Sequence, residues 1–235
     1  MCAVIGAIIQ NPSLEDFEFL KRVFLESRIR GLHATGMSFL PKWNDEIVTI
    51  KEPKPADVFI DTHMHKDNFS NYVNEDGNLY LVGHCRYSTS DLEYNQPIAN
   101  KTTSVVHNGV ITQELPEHWE ELYGYKCSTK NDTELLLHTI EDGLSPLERW
   151  KDSSISACVL QTNKTLKVFR NGKRPLYLTT LPNGVIITST ADIPKRAGSE
   201  YVTAEAPMDT YITFDSEMGM IMEKVNTGNK DLQHV

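Results

Sequence analysis

From its second residue the chain runs Cys2-Ala3-Val4-Ile5-Gly6-Ala7-Ile8-Ile9, an unbroken series of small and β-branched apolar positions. Continuous rather than alternating apolarity predicts a strand covered on both faces. Chain ends are ordinarily loose, so a buried strand here implies that the first residues are tied down. Asn11-Pro12-Ser13 predicts a turn, with Ser13 capping a helix and Asp16 near its positive end. Leu14, Phe17, Leu20, Val23 and Phe24 then recur at helical spacing and give that helix one apolar face for covering a sheet. Met37 to Leu40 and Ile47 to Ile50 read as a hairpin turning at Asn44-Asp45, Asp57 to His65 as helix, and Lys66 to Gly77 as a polar surface loop.

Beyond Gly77 a strand begins at Leu79 and passes into the tight polar segment Gly83-His84-Cys85-Arg86-Tyr87-Ser88-Thr89, and a further strand covers Thr102 to Val106. Pro116 sits in the first turn of a short helix ending at Gly124, a leucine-rich helix follows Asp132, and Ser145-Pro146 starts another through Trp150. The remainder is β: Ile155 to Leu160, Leu166 to Arg170, Pro175 to Leu178, Val185 to Thr188 and Tyr211 to Phe214, with a short helix at Ala191 to Arg196. Strands, then helices, then strands make an α+β layering the natural expectation. No Pro/Gly/Ser linker divides the chain, so residues 1–235 are expected to form one domain with a polar, mobile tail over 226–235.

Composition narrows the field of functions. A formal charge of −9 across 235 residues argues against a general nucleic-acid or anionic-membrane binder. There is no apolar run long enough to span a bilayer and no basic leader. The four cysteines, Cys2, Cys85, Cys127 and Cys158, lie far apart without a CxxC pair, which fits a reducing, cytoplasmic setting. His63 and His65 could form a metal pair on a strand, but no third ligand stands near them.

Candidate chemistry begins at Cys2. If Met1 is removed, this residue carries a thiol and a free α-amine on one carbon, with reference pKa values of roughly 8.5 and 7.7 to 8.0. One residue would then supply both nucleophile and base; a small thiol buried in a core strand is the plainer alternative. Arg30-Gly31, with Gly36, could bring a loop against that thiol, or simply connect a helix to a strand. Arg86 closes an apolar strand and suits a carboxylate, or an ion pair with Asp91 or Glu93. Asn108-Gly109 is a strong hairpin signal that equally sets a side-chain amide beside a backbone N–H, as an oxyanion hole requires. Asp132 either caps the following helix or faces a ligand ammonium.

Taken in order, Cys2, then Arg30-Gly31 through Gly36, Gly83-His84-x-Arg86-x-x-Thr89, Asn95-Gln96-Pro97, His107-Asn108-Gly109 and Asp132-Thr133-Glu134 resemble the glutaminase domain of class II, N-terminal-nucleophile glutamine amidotransferases. Arg170 to Leu176 and Ile187-Thr188-Ser189 also look like that family's C-terminal sheet, so the resemblance covers about residues 2 to 215. It implies a four-layer αββα sandwich with two antiparallel sheets between helices. By the same resemblance Cys2 is the nucleophile and its amine the base, and Asn108 and Gly109 stabilise the oxyanion. Arg86 with Thr89 holds the glutamine carboxylate, Asp132 pairs with its ammonium, and Arg30-Gly31 support the site. The half-reaction it implies needs no metal or organic cofactor: glutamine gives a γ-glutamyl thioester and ammonia, then glutamate. The expected partner is a separate acceptor synthase. A hydrolase of another γ-glutamyl compound acting alone, and an idle glutamine-binding subunit, are the alternatives.

Overall fold

The apolar opening stretch becomes β1 (Ala3–Ile9), with every residue buried. Its two faces serve two interiors: Ala3, Ile5, Ala7 and Ile9 join one hydrophobic cluster, Val4 and Ile8 another. That division is the strand period of two applied to a central strand. The computed structural model describes residues 1–228 other than Asn44 and Thr89.

The remaining strands are β2 (Ala34–Phe39), β3 (Val48–Glu52), β4 (Leu79–Arg86), β5 (Ile98–Ala99), β6 (Thr103–Asn108), β7 (Ser156–Gln161), β8 (Thr165–Arg170), β9 (Tyr177–Leu181), β10 (Gly184–Thr188), β11 (Thr203–Glu205), β12 (Thr210–Phe214) and β13 (Met220–Lys224). They form a seven-stranded sheet in the order β11-β9-β10-β1-β4-β2-β3 and a six-stranded sheet in the order β13-β12-β8-β7-β6-β5. Neighbouring strands run antiparallel throughout, with Ala3 opposite Cys85 and Ile5 opposite both Gly83 and Thr188. Val4, Ile8, Tyr80, Val82, Val106 and Cys158 share the interior between the sheets.

Helices cover the two outer faces. On the larger sheet lie α1 (Leu14–Ser27) and α2 (Ala56–His63), whose Phe17, Leu20, Phe24 and Phe59 pack into the cluster with Ile5 and Leu81. Ser13 caps α1 in a full capping box with Asp16. The other sheet is covered by α3 (Trp119–Tyr123), α4 (Thr133–Glu141) and α5 (Pro146–Arg149), through Trp119, Leu135, Leu136 and Leu147 against Val105, Ala157 and Phe169. A short α6 (Asp192–Arg196) completes the set. The expected four-layer αββα sandwich is therefore the architecture found. Among the described residues no helix is long and apolar enough to cross a membrane.

Several local expectations are corrected. Lys66–Tyr72 is a 3-10 helix rather than a plain surface loop, because Tyr72 is buried against Phe17 and Phe39. The polar segment from Gly83 to Arg86 belongs to β4, where the sheet ladder to β1 and β2 continues through it. Asn108-Gly109 closes no hairpin, since β6 pairs with β5 and β7 and the chain leaves for α3. The short strands β5, β11 and β13 carry too few alternating residues to stand out in the sequence. Of the polar tail, Thr227 donates to Asp209 Oδ2 at 3.2 Å, and residues 229–235 lie outside the described residues.

Candidate active site

The alternation that builds the inter-sheet core also builds the site at its end. On β4, Tyr80 and Val82 fill the interior, and the next residues of that parity, His84 and Arg86, line a cleft of about 320 Å³. Cys2 keeps the parity of Val4 and lines the same cleft. Gly109, just past β6, and Asp132, just before α4, complete a wall that also includes Gln96 and Lys130. Cys2, Arg86, Gly109 and Asp132, distant in sequence, are thus brought together. Thr89 lies outside the described residues.

The start of the chain is held on two sides. Val4 N donates to Ser189 Oγ at 2.8 Å, and Arg30 Nε donates to the Cys2 carbonyl at 3.0 Å. Gly31 is required for that seat: a Cβ there would overlap the Cys85 carbonyl, so the loop lies directly on the β4 backbone. Gly36, expected beside the first strand, instead lies against Gln96 and Pro97. His33 Nδ1 accepts from Ser88 N at 3.1 Å and props the segment after Arg86. All four cysteines are free. Burial pushes the Cys85 thiol up to about 12, with help from the nearby Cys2 charge, and burial then Glu134 do the same for Cys127. Burial alone raises Cys158. Those three thiols remain protonated at neutral pH.

Asn108 is 5% exposed, and its Nδ2 has no hydrogen-bond partner among the described residues. A buried donor left unpaired costs about 1–3 kcal/mol, so such a group points to a missing acceptor. Gly109 has φ +139°, and a Cβ would overlap the Ser154 carbonyl, so only glycine fits. His107 faces away from the cleft, its Nε2 3.0 Å from Ser154 O, and its backbone N donates to Gln96 Oε1 at 2.6 Å.

Arg86 forms neither ion pair suggested by its neighbours. Its Nη1 donates to Asp91 O at 2.7 Å and Asn95 Oδ1 at 2.8 Å, and its Nη2 to Ser90 O at 3.1 Å. Among the described residues, Nε and one Nη2 hydrogen have no acceptor and remain for a ligand. Asp132 occupies the cap position of α4 but makes no side-chain cap bond; its Oδ2 accepts from Ile111 N at 2.7 Å. This fixes the carboxylate within the cleft wall. His84, which carried no role in the sequence reading, is fully buried, and its Nε2 has no partner among the described residues. Burial first, then electrostatic interaction with His107 and Arg86, hold its pKa down at about 3 against a raising hydrogen bond to the His107 backbone, so the ring is neutral. Its shared parity with Arg86 was the available signal. Thr112 and Glu114 also line the cleft, and nothing in their local sequence marks them.

Two antiparallel sheets between helices, with a cysteine at the start of the central strand opening into a polar cleft, define an N-terminal-nucleophile sandwich. The model of the glutamine amidotransferase domain matches residues 62–227, which include Arg86, Asn108, Gly109 and Asp132 but not Cys2. The chain belongs to that family, in its class II form. Glutamine–fructose-6-phosphate aminotransferase (isomerizing) of Sulfurisphaera tokodaii is 27% identical over 198 residues, covering 80% of this chain and 31% of that protein. Its counterpart in Clostridium tetani is 28% identical over 149 residues, covering 60% and 22%. The chain thus spans less than a third of these relatives. Among solved structures, the glutamine phosphoribosylpyrophosphate amidotransferase of B. subtilis superposes with a TM-score of 0.69 at 18% identity, over 94% of this chain and 49% of that one. A glutamine aminotransferase class-II domain protein of Silicibacter pomeroyi gives 0.57 at 14%, over 94% and 98%.

Proposed function

We propose that this protein hydrolyses the side-chain amide of glutamine and passes the ammonia to an acceptor synthase on a separate chain. The observation that carries this reading is the placement of Cys2 in one cleft with Arg86, Gly109 and Asp132, beside the unpartnered Asn108 amide. Met1 is 72% exposed and Cys2 is small, so an aminopeptidase meets little steric obstruction. Removal of Met1 leaves the Cys2 α-amine to take the thiol proton, directly or through one water. The thiolate then adds to the amide carbon, and the tetrahedral oxyanion is stabilised by Asn108 Nδ2–H and Gly109 N–H. Collapse transfers the proton from the α-ammonium to the leaving nitrogen, breaks the carbon–nitrogen bond and releases ammonia. Water attacks the resulting γ-glutamyl thioester, with the amine again as base, to give glutamate and the free thiol.

Selectivity follows from the polar ends of the cleft. Glutamine offers one carboxylate and one ammonium, matched by the remaining Arg86 donors and by Asp132. Arg86 also frames the 90–95 loop, so binding and loop order are linked through one guanidinium. Arg30 and Gly31 act as positioning residues that seat the Cys2 backbone. The Silicibacter pomeroyi chain is likewise made almost wholly of this fold. The proposed meeting surface is the edge strand β13, where Met220, Ile221 and Met222 are exposed. A cytoplasmic setting, with thiols kept reduced, suits the nucleophile.

The test is glutamate release from glutamine by the wild type and by Cys2→Ala. A loss of at least about a thousandfold in kcat is expected on removing the nucleophile. Equal rates would exclude the thiol mechanism.

A further inference from the structure

The loop that delivers Asn131 and Asp132 to the cleft turns its other side to a second constellation. Cys127 Sγ, a Glu134 carboxylate oxygen and a His138 ring nitrogen all lie within 4.8 Å of one another. They adjoin a separate depression of about 310 Å³ bounded in part by Ser128, Glu134 and His138. Glu134 and His138 stand one helical turn apart on α4, which brings His138 Nε2 to 3.2 Å from Glu134 Oε2. That separation matches the edge of a tetrahedron whose bonds are about 2.0–2.1 Å long, the length zinc forms with imidazole and carboxylate.

The surrounding contacts are those a metal ligand set carries. His138 Nδ1 faces Glu141 Oε2 at 3.6 Å, the carboxylate–histidine arrangement that orients a ligating ring with its other nitrogen toward the ion. Glu134 Oε2 accepts from Ser128 N at 2.8 Å, and Oε1 from Thr129 N at 2.9 Å and Ser128 Oγ at 3.3 Å, which fixes the carboxylate; the lone pair on Oε2 now turned to His138 Nε2 is the one a metal would take. Cys127 Sγ makes a long contact to Tyr125 O, at 3.8 Å, and its thiol hydrogen-bonds the Glu134 carboxylate, the proton a metal would displace.

We propose that Cys127, Glu134 and His138 bind one zinc-like divalent cation, with solvent from the depression as fourth ligand. A thiolate with an imidazole selects such a cation over calcium or magnesium, which take oxygen donors. As the metal–sulfur bond forms, the Cys127 thiol gives its proton to solvent. The ion ties Cys127 to α4 and so braces the intervening residues, including Lys130, Asn131 and Asp132 of the active cleft. Its role is structural, and it stands whichever reaction the cleft performs.

The experiment is titration of metal-free protein with Co²⁺ and then Zn²⁺. One equivalent of Co²⁺ is expected to give a thiolate-to-cobalt charge-transfer band, displaced by Zn²⁺, and Zn²⁺ is expected to raise Tm. Cys127→Ser should abolish the band and weaken Zn²⁺ binding about 100-fold or more, and Glu141→Gln, one contact further out, should weaken it about tenfold. Should Cys127→Ser misfold, His138→Gln, at a side chain 28% exposed, takes its place in the same measurement, with Zn²⁺ affinity as readout. Absence of stoichiometric binding overturns the proposal. So does a band that persists in Cys127→Ser but vanishes in Cys2→Ala.

Discussion

Asn108 is the residue at which structure and chemistry meet most sharply. Its Nδ2 is buried, has no hydrogen-bond partner among the described residues, and stands next to a glycine whose conformation admits no other side chain. Asn108→Ala is expected to lower kcat by about 10²–10³ with little change in KM, because the donor acts on the oxyanion rather than on bound glutamine. Thermal stability should hold or rise slightly, since the change removes an unsatisfied donor; a large fall in Tm would mark the amide as structural. Arg86→Lys tests the opposite kind of residue. A lysine cannot reproduce the forked donation to Ser90, Asp91 and Asn95, so KM for glutamine should rise at least about tenfold, more than kcat falls. Lower Tm with an unchanged KM would reduce Arg86 to loop support. The sequence displayed these residues but left their roles divided: Asp132 as a cap and Arg86 as an ion pair were both sound local readings. Tertiary contacts decided against each, as Asp132 turned to Ile111 and Arg86 to backbone carbonyls.

Among the elements, α4 and the loop before it carry the most consequence. Burial opposes charge on Glu134, yet hydrogen bonds from Ser128, Thr129, Cys127 and His138 outweigh it and hold the carboxyl below the usual carboxylate range. A depressed folded pKa means stability that is present above the unfolded value, about 4.3, and lost as pH falls through the folded one. Glu134→Gln should therefore lower Tm at pH 7, with the gap from wild type narrowing below about pH 4. A pH-independent gap would show that shape rather than charge holds the loop. Long periodic elements such as α1 and β1 were legible because one apolar face, or two, repeats over many residues. The end of β4 was not, since His84 and Arg86 are polar where the strand passes from core to cleft. Asn108-Gly109 misled because turn chemistry is local, whereas the partners of β6 are set by β5 and β7.

For the molecule as a whole, the sandwich confines two imidazoles between its layers. His84 is held neutral, at about 3, and burial lowers His107 against the raising field of Asp132. Unfolded histidine titrates near 6.5, so the unfolded chain binds more protons below that pH. Stability should decline as pH falls from about 6.5 toward 3, and His84→Gln should flatten that decline in denaturant titrations; an identical slope in the variant would contradict it. The four-layer architecture was readable from the order of motifs, whereas the brace around Cys127 appeared only once α4 was folded against its loop. Everything proposed for the cleft depends on a cysteine whose amine has been freed. The most direct measurement is peptide mass mapping of active protein, acid-quenched during glutamine turnover. The account predicts an N-terminal peptide that begins at Cys2, lacks Met1 and carries a γ-glutamyl group on sulfur. Active protein that retains Met1, or a glutamyl group on any other residue, would contradict it.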